Sequence, residues 1–367
     1  MSMYRRDFLK VGAYAAASST VMSSFMAKAI AAEPAIDLRM AGYPHEHIKG
    51  LMTGKVQVAG ASVQFEVGKI GELNTHIISG PRELAFTEVG LTPYALAFAN
   101  EDFRAYSLIP VFPLRTFRHK SIFVHADGDI ENPAQLKGKR VGAAGYSSTS
   151  LTWIRGVLQD EYGVHPEDIE WVVSAVDSSA GVSGKMSKQE AVLPEGLSVS
   201  TGPEGKDESD LLVDGDVDAL FHAAEPRAFV ERHPKVRRLF TDPRQVERDY
   251  YAKTGIFPMM HAVAIRNDLV EQHPWLPKAV FQAYSESKAL TYADMRNRWF
   301  LRTLPWFAQE LEATEDLMGE NFAPYGVEVN RKAIEALLRY LREQKLASRR
   351  LKIEEIFEPS TLDLVEA

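Results

Sequence analysis

The chain has 367 residues, 45% of them apolar and 25% charged, and it contains no cysteine. That composition is ordinary for a folded protein and excludes disulfides, thiolate metal sites and a cysteine nucleophile. The formal net charge of −8 has the wrong sign for a nucleic-acid binder and no basic stripe offsets it, so any anionic ligand must be held by a local pocket.

Tyr4-Arg-Arg-Asp-Phe-Leu-Lys10 is followed by an Ala- and Ser-rich apolar run from Val11 to Met26. Its 16 residues fall short of the roughly 20 that span a bilayer. The pattern is similar to a twin-arginine export signal over residues 1–31, with small residues offering cleavage near 29–32. It implies passage through the twin-arginine translocase to the periplasm. Those 31 residues carry four basic groups and one acid, a net +3, so their removal takes −8 to −11. About 335 residues remain, more than one core accommodates comfortably, so two lobes are expected.

Ile36–Met40 reads as a strand that leads into Tyr43, and a helix is expected around 47–52. Val56–Phe65, Thr87–Leu91 and Ala105–Phe112 read as further strands. Ser121–His125, Lys139–Gly142, Ile169–Val173, Val217–Phe221 and Ala262–Arg266 continue the series. Apolar runs bounded by Gly and Pro, alternating with helical periods, indicate α/β layering. Asn132-Pro133 starts a short helix, Leu151–Tyr162 forms a longer one, and Gly163 ends it in a left-handed conformation. Residues 177–210, rich in Gly, Ser and charges, read as a surface loop. Trp275–Tyr292 and Lys332–Lys345 carry apolar residues at helical spacing.

Three stretches carry a family resemblance. They are Ile109–Val124 with its Phe117-Arg118-His119, Leu136–Val164, and Tyr250–His261 with its Gly255-Ile-Phe-Pro-Met-Met-His261 followed by His273-Pro-Trp275. Together they resemble the 4,5-dihydroxyphthalate decarboxylase-like family. The resemblance implies an α/β, two-lobe type 2 periplasmic-binding-protein fold with two crossover strands, near 121–126 and 258–266. Lobe 1 would comprise 33–122 and 263–367, and lobe 2 would comprise 123–262, with ligand between them. The family commonly has Asp-Arg after the first strand's Tyr, where this chain has Tyr43-Pro-His-Glu-His47.

Candidate ligand contacts follow from chemistry and strand-end position. Tyr146, Ser147, Ser148 and Thr149 precede a helix, whose first N–H groups seat an anion. Of Arg115 and Arg118, which cannot both point the same way on a strand, at most one reaches the cleft as a planar fork for a carboxylate; Arg118 is the candidate, with His119 beside it. Tyr43 and Trp153 offer rings for stacking. Arg155 is expected to meet a carboxylate of the protein. Arg227 is a second cation, and His45, Glu88, Thr92 and His261 lie at strand ends or the return crossover. The one-residue spacing of His45 and His47 suits a strand face and lacks further ligands, so no metal site is assigned, and no cofactor fingerprint is present. The expected role is a periplasmic solute-binding protein that takes a small, aromatic carboxylate to an inner-membrane importer of ABC or tripartite type. The alternative is a decarboxylase of a dihydroxylated aromatic acid, with His119 and His261 as proton donors.

Overall fold

The computed structural model describes residues 35–366; the export-signal reading of residues 1–31 lies outside them. Among the described residues no helix is long and apolar enough to cross a membrane. Within the described residues eleven strands in chain order build two sheets: β1 Ile36–Gly42, β2 Ala61–Val67, β3 Phe86–Gly90, β4 Tyr106–Ile109, β5 Ile122–His125, β6 Arg140–Ala143, β7 Glu170–Val173, β8 Val199–Thr201, β9 Ala219–Phe221, β10 Val236–Arg238 and β11 His261–Arg266.

The first sheet has the order β2-β1-β3-β11-β4 and the second β10-β5-β9-β6-β7-β8. In the first, β1 runs parallel to β2 and β3, and β11 is antiparallel to β3 and β4. In the second, β9, β6, β7 and β8 are mutually parallel, while β5 is antiparallel to β9 and β10. Every residue of β3 is buried, Phe86, Thr87, Glu88, Val89 and Gly90 alike. Four of these suit a central strand covered on both faces. The fifth, Glu88, is a carboxylate with no route to solvent, and its partners define the site below.

The chain passes from the first sheet to the second after β4 and returns before β11. The two passing segments pair with each other through an isolated bridge between Arg115 and Met259. Thr116 N donates to Pro258 O at 3.1 Å and Met260 N to Leu114 O at 2.8 Å. Ile122–His125, expected as a crossover strand, is β5 within the second sheet. Arg115 is fixed at this junction by Phe257 O, Pro324 O and Asn330 Oδ1 at 2.7, 3.2 and 2.9 Å.

The helix Thr149–Tyr162 shows how local chemistry sets the frame. Ser148 caps its start, accepting from Leu151 N at 3.3 Å. Gly163 ends it at φ 63°, a left-handed turn that costs glycine nothing. Residues 177–210, expected as loop alone, add the short helix Ala180–Ser183, edge strand β8 and the start of Glu208–Val213.

Candidate functional site

Five of the parallel strands end on one cavity between the sheets. Tyr43 follows β1, Gly90 closes β3, Ala144 and Gly145 follow β6, Asp177 lies beyond β7 and His222 follows β9. This is where ligands sit in open α/β architectures, at the carboxyl ends of strands. The volume is about 230 Å³, below the 300–1,000 Å³ common for drug-sized ligands, so the cavity fits a compact molecule.

Arg118 supplies the cation. It is buried at 5% exposure, with Nη1 donating to Ala223 O at 2.5 Å and Nε to Met260 Sδ at 3.2 Å. Among the described residues no carboxylate pairs with it. Burial lowers its pKa to about 10, with Glu247 pulling weakly the other way. The helix beginning at Thr149 adds its first-turn N–H groups, which have no acceptor within the helix, and Ser148, Thr149 and Ser150 all line the cavity. A guanidinium and a helix N-terminus lining one small cavity offer a seat for a carboxylate.

The same cavity holds an imidazole whose orientation is fixed. His261 Nδ1 donates to Glu88 Oε1 at 2.6 Å, and His45 Nε2 donates to the same oxygen at 3.0 Å. Glu88 Oε2 accepts from Tyr43 N at 2.8 Å. Burial alone would raise the Glu88 pKa, but the hydrogen bonds from His261 and His45 overcome it and hold the group far below the usual carboxylate range. With Nδ1 committed, His261 presents Nε2 as its working atom. His261 lines the cavity; Glu88 and His45 stand behind it. The Tyr43 ring packs at 5.8 Å from His45 and 5.7 Å from His261, and burial raises its hydroxyl to about 12.

Two curated relatives settle the family. A 4,5-dihydroxyphthalate decarboxylase from Comamonas testosteroni is 34% identical over 89% of this chain and 98% of its own length. The chain belongs to the 4,5-dihydroxyphthalate decarboxylase family. A second relative of that name, from Pseudomonas putida, is 31% identical over 59% of this chain and 81% of its own. A family model described as NMT1/THI5 like matches residues 111–187. Among solved structures, a periplasmic sulfonate-binding protein from Methylobacillus flagellatus matches with TM-score 0.58 at 16% identity, covering 90% of this chain and 93% of that one. The periplasmic aliphatic sulphonate binding protein of Escherichia coli matches with TM-score 0.50 at 14% identity, covering 88% and 97%. These likenesses establish the two-lobe type 2 periplasmic-binding-protein fold.

In this decarboxylase-family chain the other expected contacts are scattered. Thr92 lies beside the cavity, its N–H donating to Thr149 Oγ1 at 3.0 Å. Ser147 turns its hydroxyl to the Glu190 carbonyl at 3.2 Å and does not line the cavity. Tyr146 is buried against Trp171. Trp153 is also buried, its Nε1 donating to Met259 O at 2.9 Å, because the inner face of its helix packs into the core. His119 sits apart from the cavity among Phe240 and Tyr250, where burial lowers its pKa to about 4. That removes it from proton transfer at the cavity. Arg227 is consumed by Asp207 at 3.0 Å and Asp210 at 2.6 Å. Among the described residues Arg155 meets no carboxylate; it lies over the Tyr146 ring at 3.7 Å and donates to Gln344 Oε1 at 2.8 Å. Two acidic cavity residues were not anticipated, Asp177 and Glu190. Asp177 and Glu190 come from the stretch expected as surface loop.

Proposed function

We propose that the protein is a carboxy-lyase that encloses a small aromatic carboxylate and replaces its carboxylate group with a proton. One observation carries this reading: the unpaired, buried Arg118 and the Glu88-oriented His261 share a single small cavity. The sequence placed binding ahead of catalysis. A buried carboxylate that fixes the cavity-facing imidazole of His261, as well as binding His45 and Tyr43 N, is a feature that a cleft for capture alone does not need, and it favours the opposite order. Arg118 and the amides at Thr149 would hold an anionic group of the ligand, and Tyr43 would flank the ring. His261 Nε2 would donate a proton to the ring carbon that bears the departing group. The bond to the carboxylate carbon then breaks, carbon dioxide leaves, and its electron pair returns to the ring. Glu88 stabilises the imidazolium before that transfer and leaves the proton inventory unchanged. A proton from solvent restores His261.

A second reading keeps the same cleft and omits the chemistry. The export-like sequence at Tyr4–Lys10 favours a periplasmic protein that hands its ligand to an inner-membrane importer, of ABC or tripartite type. In either reading, segments 33–122 with 263–367 and 123–262 are the two bodies that move against each other. The test is incubation of the protein from residue 32 onward with 4,5-dihydroxyphthalate, followed by chromatography and carbon dioxide measurement. The lyase reading expects loss of the acid. It also expects His261→Asn, which keeps a donor toward Glu88 but lacks Nε2, to slow turnover by about 10²–10⁴ with binding retained. Tight binding with the acid recovered intact refutes it in favour of transport.

A further inference from the structure

The cavity contains a second buried charge without a partner, and it has the opposite sign. Glu190 is 8% exposed and lines the cavity. Its Oε2 is crowded, accepting from Ser187 Oγ at 2.8 Å, Ser187 N at 2.9 Å and Asn74 Nδ2 at 3.3 Å. Its Oε1 takes no hydrogen bond, and no cation lies within ion-pair distance among the described residues. The side chain is also held in place. Asn74 is fully buried and its Oδ1 accepts from Gly90 N at 2.9 Å, while the Glu190 carbonyl accepts from Ser147 N at 3.2 Å. Asp177 repeats the pattern less deeply. Its Oδ1 accepts from Ser179 N at 2.8 Å and Ser179 Oγ at 2.6 Å, and its Oδ2 is left over in the same cavity.

A buried carboxylate with an open oxygen is costly unless something donates to it. Arg118 and the helix start account for an anionic group on the ligand; Glu190 and Asp177 require hydrogen-bond donors on it. We infer that Glu190 is a specificity residue, accepting through Oε1 a hydrogen bond from a ring hydroxyl of the bound aromatic acid, with Asp177 as a second acceptor. The assignment rests on the cleft being a carboxylate site, and it extends that reading from the anion to the remainder of the ligand. A site built to bond a hydroxyl rejects the analogue that lacks it, because the protein group is then left buried and unpaired.

The test uses titration calorimetry with 4,5-dihydroxyphthalate and with phthalate in a His261→Asn background, which binds without rapid turnover, with Glu190 retained (the wild type at this position) and with Glu190→Gln. In the variant the amide oxygen must take the crowded inner position, where three donors converge, so its NH₂ occupies the place of Oε1. An acceptor facing the ligand becomes a donor without loss of the inner bonds. The expected result is a wild-type preference for the hydroxylated acid of at least a hundredfold, reduced at least tenfold in Glu190→Gln, with melting temperature unchanged. Equal weakening of both ligands, or an unaltered ratio, overturns the assignment. A wild type that binds both acids equally overturns it alone. A wild type that binds neither overturns the carboxylate reading together with it.

Discussion

Replacing Arg118 by Met separates what the residue does for the fold from what it does for the ligand, because the two effects run in opposite directions. The guanidinium is held charged in a buried place. Its fall to about 10 from an ordinary value above 12 corresponds to roughly 3 kcal/mol of unfavourable burial. Met retains most of the stem and removes that cost. Against this, Ala223 O loses its donor at 2.5 Å, a penalty of about 1–3 kcal/mol if the carbonyl stays dry. The net change in ligand-free stability should therefore lie within about 2 kcal/mol of zero. Binding of an aromatic carboxylate should weaken by about 2–5 kcal/mol, the usual result of removing one partner from a buried charge pair, or about 30- to 4,000-fold. Urea unfolding at pH 7 and titration calorimetry on both proteins measure the two quantities. A stability loss above about 4 kcal/mol with unchanged affinity would make Arg118 a structural residue and refute this account of the cavity.

Glu88→Gln puts an NH₂ group where only acceptors fit, since His45, His261 and Tyr43 N all donate to this carboxylate. It should cost about 3–5 kcal/mol of stability at pH 7, read as a lower urea midpoint, and turnover should fall with it. The pH dependence of stability has two windows. Burial holds His47 down to about 3 and His119 down to about 4, so below pH 6.5 the unfolded chain binds protons that the folded one refuses. Stability should then fall by about 2 kcal/mol per histidine between pH 6.5 and 5, and His119→Phe should remove about half of that slope. The Glu88 contribution is present above pH 4.5 and disappears only below it, because its folded pKa is depressed. At Gly71 a Cβ would lie 2.2 Å from Lys185 O, so Gly71→Ala should hold the walls of the cleft apart. Ligand affinity should drop tenfold or more, while melting without ligand stays the same or rises through better helix propensity.

The frame was legible because its signals are local. Asn132 caps its short helix as expected, with Gln135 completing a capping box, and Gly163 takes the left-handed turn that ends its helix. The apolar runs became strands with shifted ends: β2 starts at Ala61 instead of Val56. The site was less legible because its chemistry is assembled across the chain. Glu88 sits in a fully buried strand, and its partners His45 and His261 lie 43 and 173 residues away. The turn at 146–149 was recognisable as an anion seat, yet successive side chains of a turn point different ways. Ser148 and Thr149 line the cavity, while Tyr146 and Ser147 do not. Strand-end position suggested Arg227 for the cleft, but acids at 207 and 210 that no local pattern ties to it are its partners. Glu190 had no signal of its own; a charged residue in a Gly- and Ser-rich stretch looks the same whether it faces solvent or a ligand.

The placement of β11 between β3 and β4 has a consequence for biosynthesis. A nascent chain has made every strand of the second sheet once Arg238 is complete, whereas the first sheet lacks a middle strand until Arg266. During that interval β3 and β4 each present an open edge to the crowded surroundings of the ribosome, the kind of edge that templates pairing with another chain. Maturation therefore runs from the middle of the chain outward. Chains released with C-terminal ends between 239 and 260 should be the aggregation-prone products, more so than chains cut anywhere in the last hundred residues.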